Sequence, residues 1–156
     1  MQRTKLYAEL VAVSIGWWLS GAVMAQAPKG SGTDQQFLRQ AASDGLAEVQ
    51  LGTMASTQAV SLEVQQFGRR MVTDHTKANQ ELMALAQAKH IGVSQDIDKP
   101  HQEAAEKLAK LQGPSFDHAY MQHMVQDHEK AVQLFTTAAR ESQDADVKAF
   151  VGKTLA

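Results

Sequence analysis

Two five-residue stretches carry the side chains best suited to chemistry. Met71-Val72-Thr73-Asp74-His75 is echoed by Met124-Val125-Gln126-Asp127-His128, a Met-Val-x-Asp-His motif repeated 53 residues later in a chain of 156. The echo continues, with Lys77-Ala78 matched by Lys130-Ala131. Each copy sets an imidazole beside a carboxylate inside a segment of helical periodicity. Two chemistries follow if the copies meet in a water-poor interior. In the first, each aspartate accepts from the other copy's histidine, and the crossed pair holds two helices in register without any ion. In the second, the pairs join Glu48 from an earlier helix, and Glu48, Asp74, His75, Asp127 and His128 hold iron, manganese or zinc. Met71 and Met124, each four residues before its histidine, share that side of the helix and would add soft ligands suited to copper(I).

The chain shows no nucleophile with its base, no Gly-rich phosphate loop and no strand-like alternation, so no catalytic residue and no organic cofactor is assigned. The remaining histidines carry less. His90 falls near a helix C-terminus and His101 near a helix start, while His118 and His123 lie off the apolar stripe and are expected at the surface.

The elements that position these residues are helices. Thr33 or Asp34 can cap a first helix in which Phe37, Leu38, Ala41, Gly45, Val49, Gly52 and Ala55 recur at three- and four-residue steps, with Glu48 at the stripe's edge. Gly45 and Gly52 on the apolar side imply close approach of a neighbour. Ser61 caps a second helix with Glu63 in its first turn, a stripe of Val64, Phe67, Met71, His75, Ala78, Leu82 and Leu85, and an expected stop at Gly92. After a polar connector, Pro100 opens a short helix that Gly113-Pro114 closes. Ser115 is expected to cap a third long helix with Met121, Val125, His128, Val132, Phe135 and Ala139 inward. A turn at Gln143-Asp144 then leads to a fourth, from Val147 to the end.

These elements predict an all-α fold of two helical hairpins joined by a long crossover that carries the short helix. At about 1.5 Å per helical and 3.3 Å per extended residue, the crossover can run back along the bundle. Helices two and three would then be parallel, with the repeated motifs at one height. Helix four is truncated: the position level with His128 falls past Ala156, so no ligand is expected from it. The strip of helices one and three that it leaves uncovered predicts homodimerisation or poor solubility.

Composition narrows the setting. Arg3 and Lys5 precede an uncharged apolar run, Leu10 to Met24, and Val23-Met24-Ala25 suits a signal peptidase. The run is about 15 residues, short of the ~20 that span a bilayer as a helix. The expected organisation is a signal peptide over 1–25, a linker over 26–33 and a helical domain over 34–156, exported to the periplasm or associated with the outer membrane. Removing Arg3, Lys5 and Glu9 from 15 basic and 17 acidic residues leaves 13 and 16, a net charge of −3. That balance offers no basic stripe for nucleic acid. With no cysteine, disulfides and thiolate metal sites are excluded.

From Phe37 to Phe150 the chain resembles an exported bacterial family, domain of unknown function 4142, of the ferritin-like superfamily. The resemblance rests on Phe37, Ala41, Gly45, Glu48-Val49, Leu51-Gly52, Val64, Phe67, both Met-Val-x-Asp-His motifs, Asn79, Phe116-Asp117, Tyr120 and Val147-Lys148-x-Phe150. It implies a ferritin-like four-helix bundle, export to the envelope and no established activity. Family members usually continue helix four with a Leu-Pro segment and a further histidine, from which Lys153-Thr154-Leu155-Ala156 departs. The outer-membrane label given to many members finds no barrel strands here. The expected protein is thus a non-enzymatic envelope bundle with an architectural Asp/His pair, or a metal-binding bundle with its ion between helices one, two and three.

Overall fold

A computed structural model describes residues 31–156; the expected export segment over 1–25, and residues 26–30 of the expected linker, lie outside the described residues. The described chain is all-helical, in the order α1 (Gly32–Gln58), α2 (Leu62–Ala88), α3 (Lys99–Ala109), α4 (Gly113–Glu141) and α5 (Ala145–Leu155). Among the described residues no helix is long and apolar enough to cross a membrane.

Helix ends follow local chemistry, in places a few residues from expectation. The cap of α1 is Ser31, whose hydroxyl accepts from the Asp34 amide while Asp34 returns a carboxylate to the Ser31 amide. This reciprocal box satisfies two orphan donors, and it draws Gly32 and Thr33 out of the expected linker into the helix. Ser61 caps α2 as expected. Its C-terminus departs from the sequence reading: α2 ends at Ala88, and His90, not Gly92, takes the left-handed turn with φ 56°. The His90 amide donates to Gln87 and the Ile91 amide to Ala86. That pattern is a Schellman motif, and Ile91 and Ala86 make its buried apolar contact. Pro114 lies in the first turn of α4, which starts at Gly113 rather than after Ser115. Asp144 caps α5 through the Asp146 and Val147 amides.

Two apolar clusters fix the helix directions. Phe37, Leu38, Leu82, Ala138, Val147, Phe150 and Val151 join the start of α1 to the ends of α2 and α4 and to α5. Leu51, Ala55, Leu108, Phe116, Tyr120 and Met124 join the end of α1 to α3 and the start of α4, with Val64 and Phe67 of α2 against them. Helices α2 and α4 therefore run parallel, and α1 runs opposite to both, as the long crossover predicts. The α1–α2 approach is very close: a Cβ on Gly68 would stand 2.7 Å from the Gly52 carbonyl oxygen, and one on Gly45 would overlap Asn79 Oδ1. The close packing expected of Gly45 and Gly52 is present, with Gly68 of α2 facing Gly52.

The inward face of α4 is rotated from expectation. Phe116, Tyr120, Met124 and Ala138 are buried, whereas Val125 and Val132 are more than half exposed. Adjacent residues point about 100° apart on a helix, so a slip of one position moves the whole stripe. The slip is anchored at the start of α4, where buried Asp117 accepts from the Val60 and Ser61 amides at 3.1 and 2.8 Å. That tie locks the α1–α2 turn to α4.

Candidate metal centre

Glu48 is the centre of the polar interior. Its side chain is 7% exposed and reaches the two motif histidines from different helices. His75 Nδ1 of α2 lies 2.7 Å from Oε2, and His128 Nδ1 of α4 lies 3.5 Å from Oε1. The two rings meet edge to face with centroids 5.8 Å apart. Glu48, His75 and His128 each offer one ligand atom, and the three atoms lie within 4.8 Å of one another. Parallel α2 and α4 bring the motifs to one height, and antiparallel α1 threads Glu48 between them.

The aspartates of the repeat do not join this group. Asp74 is turned outward and pairs with Arg70 at 3.1 Å on the exposed face of α2. Asp127 pairs along its own helix, 2.9 Å from His123 Nε2 and 3.1 Å from Lys130 Nζ. The crossed Asp/His pair is thus corrected: the carboxylate both imidazoles share is Glu48. Once each histidine faces inward, its preceding aspartate points about 100° away. Of the expected soft ligands, Met71 lines the cleft beside His75, whereas Met124 packs in the apolar cluster with Phe116 and Tyr120.

The donor set fits a divalent transition metal. Among the described residues the ion-pair partners of Glu48 are imidazoles, with no lysine or arginine on it. A buried carboxylate so placed carries a desolvation penalty of several kcal/mol that a cation offsets. His128 Nδ1 sits 2.8 Å from the Met124 carbonyl oxygen. With its proton on Nδ1 the ring donates there, which orients it, and Nδ1 is also the nitrogen that stands 3.5 Å from Glu48. Two imidazoles and a carboxylate with open positions form a set used by non-haem iron and by zinc.

The group opens into a cleft of about 470 Å³ walled by Phe67, Met71, Leu82, Val132, Phe135 and Phe150. Thr154 and Leu155 of α5 also line it, so the fourth helix comes closer to the motif histidines than its length suggests. Asn79, one turn beyond His75, is buried with Nδ2 unpartnered. The Tyr120 hydroxyl is likewise buried and unpartnered, and burial together with the Glu48 charge pushes its pKa well above the ordinary tyrosine value.

A second polar group lies on the α3 side of α1. His101, Asp98, Asp44, His123 and Asp127 line one cavity, which Glu48 also borders. Burial pushes the Asp44 carboxyl up, partly offset by a hydrogen bond from Gln40. Burial also works against the ionised forms of Asp98 and Asp127, yet both are held below the ordinary carboxylate value, Asp98 by the His101 amide and ring, Asp127 by His123 and Lys130. His123, expected at the surface, is mostly buried here. Its signal in the sequence was the four-residue step to Asp127, matched on α1 by Gln40, Asp44 and Glu48 at the same step.

No curated protein and no solved structure matches the chain. Residues 20–156 match the profile of a family described as a domain of unknown function. The match spans most of the chain and takes in the Glu48, His75 and His128 positions, and on it this protein belongs to the DUF4142 family.

Proposed function

We propose that this protein is an exported, metal-binding helical bundle in which Glu48, His75 and His128 hold one divalent transition-metal ion. The observation that carries the reading is the meeting of three donor atoms from three helices around a buried carboxylate whose ion-pair partners are both imidazoles. Iron, manganese and zinc suit the set, and Met71 at the cleft wall adds a soft neighbour for copper(I). Export rests on the basic start and apolar run of the first residues. The ion would supply Lewis acidity or redox chemistry beside the apolar cleft. The chain itself supplies the preorganisation: Met124 orients His128, and the two clusters at either end hold the three helices.

Thermal unfolding of the mature chain tests the reading, first with chelator and then with Fe²⁺, Mn²⁺, Zn²⁺ and Cu⁺ in turn. An ion at 100 times its dissociation constant adds about 2.7 kcal/mol, roughly 10 °C for a domain of this size. Loss of that shift in His75→Ala and in Glu48→Gln assigns it to this group. No shift with any ion leaves the architectural alternative, in which Glu48 alone ties α1 to α2 and α4, an alternative that its 2.7 Å contact with His75 favours.

A further inference from the structure

On the reading that one divalent ion sits on Glu48, His75 and His128, the group is left one negative charge short. Glu48 is the acidic member of the three, and imidazoles bind an ion as neutral groups. A unit charge left unbalanced beside apolar walls is costly, because water is not there to solvate it. The other charged residues on the cleft are Asp44, Arg70 and Asp74. Asp74 is more than half exposed and pairs with Arg70, and Asp44 turns to Gln40 and His101. The missing charge therefore has to come from outside the chain.

The cleft limits which anion fits. Its 470 Å³ is walled by apolar side chains of α2, α4 and α5, and an apolar cavity of about 150 Å³ already holds a benzene ring. There is room for a hydrocarbon body beyond an anionic head, and that body would take the walls out of water. Val132 and Leu155, 56% and 41% exposed, mark the open side. Asn79 supplies a donor. It follows His75 by four residues, so both side chains leave α2 on one face. It is 9% exposed and lines the cleft, and its Nδ2 has no hydrogen-bond partner among the described residues. The amide occupies the space that Gly45 leaves by having no side chain, which seats it firmly. A buried N–H of this kind asks for an acceptor. A carboxylate has two oxygens, one for an open position on the ion and one for the amide.

We propose that the cleft takes a small apolar monocarboxylate, its head on the ion held by Glu48, His75 and His128, its second oxygen on Asn79 Nδ2, and its hydrocarbon body between α2 and α4. Such a ligand completes at once the charge and the coordination of a three-ligand site with an open position. A dicarboxylate of the same length is disfavoured, since its second charge would be desolvated against the apolar walls.

Titration calorimetry on the mature chain tests it, first with Zn²⁺ alone in carboxylate-free buffer, then with linear alkanoates from acetate to octanoate on the Zn²⁺-loaded protein. Affinity is expected to rise about fourfold per methylene, the equivalent of about 0.8 kcal/mol for each CH₂ buried. Succinate should bind at least about tenfold more weakly than butanoate. Chelator-treated protein should bind octanoate at least about tenfold more weakly than the loaded form. Asn79→Ala should weaken octanoate by about tenfold or more, the worth of a hydrogen bond to a charged group, and leave the step per methylene unchanged. Val132→Ser should flatten that step and leave acetate as it was. Zn²⁺ binding without alkanoate binding, or an affinity that does not grow with chain length, overturns the carboxylate and keeps the ion at Glu48. Equal octanoate affinity with and without Zn²⁺ also overturns it, by making the cleft a plain apolar cavity. Failure of Zn²⁺ itself to bind removes both.

Discussion

His75 and His128 stand edge to face, their ring centroids 5.8 Å apart, over the two oxygens of one carboxylate. Neither histidine is therefore independent of the other in its effect on Glu48. In metal-free protein, His75→Ala leaves the buried carboxylate only its 3.5 Å contact with His128, and is expected to destabilise the fold by about 1–3 kcal/mol. His128→Ala acts on the same group. The double variant should fall short of the sum by roughly 0.5 kcal/mol or more, since residues with a shared partner couple. Urea unfolding with chelator present checks this. Strict additivity would mean that the two imidazoles do not share the carboxylate.

The α1–α2 contact makes a second prediction. Gly68→Ala would place a methyl 2.7 Å from the Gly52 carbonyl oxygen and 2.9 Å from the Ser56 amide nitrogen, both backbone atoms that cannot swing aside. Overpacking of this kind costs about 1–3 kcal/mol, enough to outweigh alanine's gain in helix propensity. Gly45→Ala differs, because its obstacle is the Asn79 side chain. Combining it with Asn79→Ala should recover most of the loss, whereas no side-chain truncation recovers Gly68→Ala. Chemical denaturation of the four variants distinguishes the two kinds of closeness.

These contacts also mark how far the sequence could be read. The helices, the Ser61 cap, the parallel long helices and the close approach at Gly45 and Gly52 all follow from periodicity, capping chemistry and small residues on an apolar face. Rotation of α4 about its axis does not. Its stripe can be drawn through Val125 and Val132 or through Tyr120 and Met124, and the choice is made by Asp117 bonding two amides of a distant turn. The same rotation decides which way each half of the α4 Asp-His dipeptide faces. It put His128 beside Glu48 and left Asp127 facing α3. His101 and His123 meet one cavity only because the chain after α2 lays α3 across α1, where the Asp98 amide bonds Ser43. No local pattern encodes that path.

The end of α2 makes a third prediction. Glycine was the expected stop, yet His90 occupies the left-handed position because Ile91 must reach Ala86 in the core. For a residue with a Cβ the left-handed region costs about 1–2 kcal/mol, of which glycine's greater unfolded-state entropy returns a part. His90→Gly should therefore stabilise the protein by up to about 1 kcal/mol. Gly92→Ala, with open space around its Cα, should change little. A thermal melt of each variant checks both. Stabilisation by Gly92→Ala without any by His90→Gly would mean that the stop lies elsewhere.

The joint between α2 and α5 makes the fourth. Lys89 Nζ lies 2.6 Å from Asp144 Oδ2 with both side chains 9% exposed, and 3.0 Å from the exposed Asp146. Burial alone would raise the Asp144 pKa, but the Lys89 ammonium and the Val147 and Asp146 amides hold it below the ordinary carboxylate value. Burial would likewise lower Lys89, and its two carboxylates reverse that and hold it above the ordinary lysine value. A depressed carboxyl contributes stability that is complete above its unfolded value and is lost as pH falls through the folded one. A raised ammonium contributes stability that is complete below its unfolded value and is lost as pH climbs through the folded one. Both contributions are thus in place at neutral pH, and the acid loss begins below about pH 4. Asp144→Ala removes the charge partner and the α5 cap together and should cost about 3–5 kcal/mol at pH 7. Asp144→Asn keeps the cap, so its cost should be smaller, about 1.5–3 kcal/mol, the worth of a hydrogen bond to a charged group. Urea melts at pH 7 and pH 3 separate the parts. The gap between wild type and Asp144→Asn should narrow at pH 3, while the gap between Asp144→Asn and Asp144→Ala should persist, because the amide cap does not titrate. An Asp144→Asn deficit unchanged at pH 3 would show that the Asp144 charge is not what Lys89 holds.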